Sequence, residues 1–172
     1  MKKLIFPSVA FAAMLFLFSS CAKDTRTELT DEQKATIQKE VKDQWEKQRS
    51  TIRQLNFDTW SEFISNDFIS GIGSVNYTPS RTAWMDTVKN SFTRRERHQS
   101  ELIDETVTAL TTDLALGTQI AIWDNWFKNG DYRKAKGSTT TLWKKGPDGW
   151  KIIYVHESRL AILEEKLANP PQ

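Results

Sequence analysis

The residues best equipped for chemistry sit late in the chain, in the run Trp150-Lys151-Ile152-Ile153-Tyr154-Val155-His156-Glu157-Ser158. Alternation along a strand puts Trp150, Ile152, Tyr154, His156 and Ser158 on one face, and Lys151, Ile153, Val155 and Glu157 on the other. The first set is aromatic and tipped with polar groups, which is how small-molecule pockets are usually lined. Tyr154 and His156 would be candidates for an acid/base pair there. Imidazole changes charge near neutral pH, and a phenol can donate to a developing oxyanion. The plainer role for His156 is a half-buried, hydrogen-bonded residue that braces the sheet. Trp123 and Asn125 share a face of the Ala115–Phe127 segment with Ala121, and could line the same pocket from a neighbouring strand.

The strand acids are Asp104, Glu105 and Asp124. A desolvated carboxylate could act as a base. The simpler expectation is exposed charge paired with Lys or Arg across strands. No carboxylate is placed beside His156 by spacing, so the sequence names no catalytic residue and leaves enzymatic activity open. Two distant histidines and one cysteine give no zinc-binding pattern. There is no Gly-rich phosphate loop and no nucleophile elbow, so no metal or cofactor is expected. The cluster Arg94-Arg95-Glu96-Arg97-His98 reads first as a solvated helix end, its cations complementing the helix dipole, with a ligand-binding role as the alternative.

Cys21 is the only cysteine of the 172-residue chain, and its surroundings give it a different chemistry. Lys2 and Lys3, the apolar run from Leu4 to Phe18, and Ser19-Ser20 have the order of a secretory signal peptide. Leu17-Phe18-Ser19-Ser20-Cys21 resembles a bacterial lipobox, in which the thiol is acylated and becomes the new N-terminus. The expected location is therefore the cell envelope, with membrane attachment through an N-terminal lipid. The apolar run is shorter than the ~20 residues of a membrane-spanning helix. Removal of residues 1–20 takes two lysines from 24 basic residues and leaves 22 against 22 acidic ones. A formally neutral chain lacks the basic field that nucleic-acid binding requires, so no nucleic-acid partner is expected. With no second cysteine, the domain must hold together in an oxidising compartment by packing alone.

Residues 21–29 are polar and aperiodic and read as a tether. Thr30 and Gln33 form a capping box. Ile37, Val41, Trp45, Ile52 and Leu55 then recur at helical spacing as one apolar stripe. A short helix follows Asn56 or Asp58. Thr78-Pro79 predicts the start of a third, with Trp84, Val88 and Phe92 on one face. Beyond His98 the pattern becomes strand-like: Leu102–Leu110, Ala115–Phe127, Ala135–Lys145 and Trp150–Ser158, separated by turn sequences. Short connections imply antiparallel pairing, and helices gathered ahead of a meander predict an α+β layer fold. Leu160, Leu163 and Leu167 are at helical spacing, so residues 159–172 read as a helical tail stopped by Asn169-Pro170-Pro171. The tryptophans at 45, 60, 84, 143 and 150 are expected in the core.

This order of elements resembles the nuclear transport factor 2-like superfamily, and its SnoaL-like branch in particular. Thr139-Thr140-Thr141-Leu142-Trp143, the turn Pro147-Asp148-Gly149 and the strand from Trp150 to Ser158 are similar to that family's last two strands. The association domain of calcium/calmodulin-dependent kinase II ends in a comparable W-x-x-x-H-x-H-x-S pattern. Trp150, His156 and Ser158 match it, while Tyr154 replaces the first His and Thr141 stands where that domain has an arginine. Asp113, Ala115 and Gly117 resemble the step that opens the family's long central strand. The resemblance covers residues 30–158 and implies a cone, with helices packed on a curled antiparallel sheet around a pocket open at one end. Members include isomerases, dehydratases, transport factors and oligomerisation modules, so fold alone does not assign an activity. Three readings follow: a domain binding a small, partly apolar ligand; a small acid/base enzyme of isomerase or dehydratase type; or an assembly module that pairs as a homodimer through its sheet. For the last, Ile153 and Val155 would supply the contact.

Overall fold

The computed structural model describes residues 28–73 and 76–166. The signal peptide, Cys21, all but the last two tether residues and residues 167–172 lie outside the described residues.

Helix α1 (Asp31–Arg53) starts at the expected capping box: Thr30 Oγ1 accepts from the Gln33 N–H, and the Gln33 side chain accepts from the Thr30 N–H. Its stripe buries Ile37, Val41 and Trp45. Helix α2 (Phe57–Ser61) is capped by Asn56, whose Oδ1 accepts from the Thr59 N–H at 3.1 Å. Strands β1 (Ser70–Gly73) and β2 (Asn76–Thr78) pair antiparallel. Helix α3 (Arg81–Arg94) begins after an Ser80 cap rather than at Pro79, because Thr78 is held opposite Gly71 in the β1–β2 ladder. Four long strands follow: β3 (Arg95–Ala109), β4 (Leu114–Phe127), β5 (Asp131–Gly146) and β6 (Gly149–Lys166).

The sheet order is β2-β1-β6-β5-β4-β3, with helices packed against one face. The α+β class and the nuclear transport factor 2-like cone are as expected, but the sheet is mixed: β1 runs parallel to β6. The C-terminal segment is also corrected. Arg159–Lys166 continues β6 as strand instead of forming a helical tail, because β5 extends back to Asp131 and pairs with it. Leu160 is 72% exposed, so the leucine spacing there marks no buried stripe.

Four residues have no partner in the ladders. Glu96 and Ile103 are extra on β3, and Ile153 and Ile162 on β6. Each such bulge bends its strand and exchanges inward for outward side chains beyond it. All four lie on β3 and β6, the strands flanking the β4–β5 pair.

Tryptophans fill the concave face by lying on glycines. A Cβ at Gly117 would stand 2.5 Å from the Trp45 ring, at Gly71 2.2 Å from Trp84, and at Gly137 2.4 Å from Trp123. No L-residue with a side chain fits those contacts without displacing an indole. Trp45 meets Trp143 edge-on with ring centroids 5.9 Å apart. Trp45, Trp60, Trp84, Trp143 and Trp150 are all buried, as expected. Trp143 Nε1 donates to Thr141 Oγ1 at 2.8 Å, and Trp150 Nε1 to Glu40 Oε2 at 2.8 Å.

Candidate functional site: a concave, cation-rich cavity

A cavity of about 320 Å³ lies between the helices and the concave face of the sheet. Trp45, Ile52, Trp60, Trp84, Val88 and Phe92 form its helical wall. From the sheet come Arg95 and His98 of β3, Gln119, Trp123 and Asn125 of β4, Ala135, Thr139 and Thr141 of β5, and Ile152, Val155, Glu157 and Arg159 of β6. A side chamber of about 40 Å³ opens between α1 and strands β3–β4, with Gln48, Ile52, His98, Gln119 and Trp123 common to both.

Of the four residues singled out by sequence, Trp123 and Asn125 line the cavity, whereas Tyr154 and His156 do not. The cause is the bulge at Ile153. Trp143 pairs with Ile152 but Leu142 pairs with Tyr154, so the inward set changes from Trp150 and Ile152 to Val155, Glu157 and Arg159. A one-residue slip sends a whole run of side chains to the opposite face. Tyr154 and His156 are turned outward and half-buried, opposite Ser70 and Ile72 of β1. Val155 is 7% exposed and Ile153 6%, so neither is free to make the partner contact that the assembly reading gave them.

The cluster Arg94-Arg95-Glu96-Arg97-His98 is likewise corrected. Only Arg94 ends α3, and the rest opens β3. Glu96 is the extra residue of the bulge. Arg97 packs outward, its guanidinium 3.6 Å from the centroid of the Trp126 ring. Arg95 and His98 turn inward and are buried. His98 lies opposite Asn125, with Nδ1 2.8 Å from Oδ1. A carboxamide oxygen only accepts, which assigns the proton to Nδ1 and leaves the Nε2 lone pair free. Burial, together with the nearby Arg95 and Arg159, drives its pKa down to about 4 despite the Asn125 bond, so His98 is neutral at pH 7.

The acids are placed in three ways. Asp104 is exposed. Asp124 accepts from the Tyr132 hydroxyl and lies 3.6 Å from Lys134, the expected cross-strand pairing. Glu105 departs from the expectation of exposed charge: it forms a buried ion pair with Arg49 of α1, which also bonds Glu46 at 2.8 Å and Gln119 at 3.3 Å. That pair joins helix to sheet and takes no part in lining the larger cavity.

Three buried side-chain polar atoms have no hydrogen-bond partner among the described residues: Trp84 Nε1, Arg95 Nε and Thr139 Oγ1. All three residues line this cavity. Buried polar groups are nearly always satisfied, so three exceptions on residues that line one cavity single that cavity out. Among the described residues no group of three His, Cys, Asp or Glu side chains could hold a metal.

A family model described as a SnoaL-like domain matches residues 39–162. A comparison with curated proteins finds no match. Among solved structures, a candidate dehydratase of the nuclear transport factor 2-like family from Streptomyces avermitilis is 20% identical, with 73% of this chain and 97% of that one covered and a TM-score of 0.66. A nuclear transport factor 2-like superfamily protein from Salmonella enterica serovar Typhimurium is 16% identical, covering 72% and 91%, with a TM-score of 0.63. A hexachlorocyclohexane dehydrochlorinase is 11% identical, covering 83% and 99%, with a TM-score of 0.65. At these identities the likeness is one of fold.

Proposed function

Because the chain belongs to the SnoaL-like domain family, we propose that it is a lipid-anchored, envelope-facing domain that holds a small, partly apolar ligand in its cone. The observation that carries this reading is the meeting of void and unmet polarity. The cavity reaches the size of known small-molecule sites, five aromatic side chains line it, and three of its lining residues, Trp84, Arg95 and Thr139, each carry a buried polar atom without a partner among the described residues. The anchor rests on the lipobox-like Leu17–Cys21 segment. Several acyl chains at Cys21, at ~0.8 kcal/mol per buried methylene, would make release from the membrane negligible.

The neutral hydrophobic probe N-phenyl-1-naphthylamine should bind at one site, with enhanced fluorescence. Ser91→Trp, which fills the cavity from α3, should abolish that binding. Absence of saturable binding, or binding indifferent to Ser91→Trp, would remove the ligand-site reading. Cys21→Ser should release the chain from the membrane fraction; unchanged fractionation and an unchanged mass would remove the anchor.

A second reading, acid/base catalysis of isomerase or dehydratase type, has one observation in its favour: the free Nε2 of His98. The base is weak, however. With a pKa near 4 it stands well below the value a general base needs at pH 7, at ~1.4 kcal/mol per unit. Its partner is an amide, which cannot balance the charge of an imidazolium as a carboxylate would. Binding is therefore the better supported activity.

A further inference from the structure

The charged residues that line the cavity are three arginines, Arg94, Arg95 and Arg159, against a single glutamate, Glu157. His98 adds no charge at neutral pH. The glutamate is already engaged, since Glu157 is ion-paired with Arg159. Arg95 shares only the longer-range attraction of Glu157: it is 8% exposed, and its Nε has no acceptor among the described residues. A guanidinium cannot shed its proton to escape burial. Burial and the repulsion of Arg159 and Arg94, partly offset by Glu157, draw its pKa down only to about 10, so it stays charged. An isolated buried cation is among the costliest arrangements a fold can keep, and the ordinary remedy is an anion beside it.

The neighbours of Arg95 fix what kind of anion fits. Arg159 projects from β6 opposite Gly137, and its guanidinium carbon lies 5.5 Å from the centroid of the Trp123 ring, which itself rests over Gly137. Arg159 is thus steered along the cavity wall by stacking on Trp123. Thr139, on the strand between β4 and β6, contributes the unpartnered hydroxyl, and Trp84 the unpartnered indole N–H across the void. Two of the three unmet atoms, Arg95 Nε and Trp84 Nε1, can only donate, and a hydroxyl can donate as well. The unmet atoms therefore call for acceptors, and the rest of the wall combines aromatic and aliphatic side chains with polar ones such as Gln48, Ser91 and Asn125.

From this we infer that the ligand is an organic acid, its carboxylate received by Arg95 with Arg159, and its apolar body laid against Trp84, Trp123 and Val155. The inference rests on the ligand-binding reading above and adds the chemical class. Arg95 and Arg159 set the preference for charge, while the aromatic wall supplies affinity that is indifferent to it. Glu157 holds Arg159 in place and keeps the cavity from carrying a larger excess of positive charge.

The test compares 3-phenylpropionate with its neutral isostere 3-phenylpropionamide, titrated calorimetrically into the full chain at pH 7.5. The acid should bind roughly tenfold or more tightly than the amide, the worth of a charge-assisted hydrogen bond. Arg95→Gln should bring the two affinities together by weakening the acid while leaving the amide nearly unchanged. Arg159→Gln, at a more exposed position where folding is not at stake, should reduce the preference in the same direction by a smaller factor. Equal binding of acid and amide by the unaltered chain would overturn the inference while leaving the ligand-binding reading intact. A preference that survives in both variants would overturn it as well. Failure of both compounds to bind, together with failure of the neutral naphthylamine probe, would remove both readings.

Discussion

Trp143 and Trp84 are both buried on the concave side of one sheet, yet their indole N–H groups meet opposite fates. Trp143 donates to Thr141 Oγ1, packs edge-on against Trp45, and is 0% exposed. Trp84 stacks near Phe68 and lies on Gly71, but its Nε1 bonds to nothing among the described residues, and the residue lines the cavity. The buried arginines divide in the same way. Arg49 is surrounded by Glu105, Glu46 and Gln119, whereas the Nε of Arg95 is left without an acceptor. One end of the cone is therefore finished as a core, and the other is left unfinished at defined atoms. The difference teaches that burial alone does not mark a site. Hydrogen-bond satisfaction does, because the fold has no reason to carry an unmet polar group where packing could have met it.

The contrast can be broken most easily at the finished end. Trp143→Ala should lower stability by ~3–5 kcal/mol, the usual cost of emptying a large aromatic site, as read from urea denaturation. Trp84→Ala, beside a cavity that already exists, should cost less. Equal losses would mean that the two ends are not different in kind.

His98 tests whether the polar end carries strain. Its folded pKa, about 4, is depressed from the ordinary imidazole value of 6.5, so between those values the unfolded chain binds a proton that the folded chain refuses. Stability attributable to this residue is then fully present above pH 6.5 and falls as pH drops towards 4, by about 3 kcal/mol in all. In His98→Gln that part of the pH dependence should vanish. A denaturation midpoint that follows the same pH curve in both proteins would show that His98 is not held neutral by burial.

The smallest effect concerns Arg95, and its sign is the informative part. Arg95→Met removes a buried charge with no paired acceptor at Nε, so it should leave stability unchanged or raise it by ~1 kcal/mol, while abolishing preference for an anion. The midpoint of urea denaturation measures this. A substantial loss of stability would show that Arg95 is structural, like Arg49, and would erase the distinction between the two arginines.

Much of this architecture is legible in the sequence because its cause is local. The capping box of Thr30 and Gln33, the stripe of Ile37, Val41 and Trp45, and the turn at Pro147-Asp148-Gly149 depend on neighbours in sequence, and period-2 and period-3.6 patterns report them directly. The cavity is half legible. Trp123 and Asn125 follow from regular alternation along β4, where no bulge intervenes. Arg95 and His98 escape because the pattern that reveals a strand is apolar residues alternating with polar ones. Where the inward side chains line a polar cavity, that signal disappears. The alternation of Arg95, His98 and Ser100 is further offset by Glu96.

The sequence by itself determined the helices, the long strands, the five core tryptophans and the α+β layering, since each follows from side-chain periodicity and turn chemistry. Tertiary structure alone decided which face of β6 looks into the cone. That choice depends on an extra residue at Ile153, where β6 lies between β5 and the parallel strand β1. It likewise decided that Arg49 finds Glu105, 56 residues away, while the Nε of Arg95 finds no acceptor. Partnership between distant side chains is set by where the sheet curls, and no local pattern in the chain encodes it.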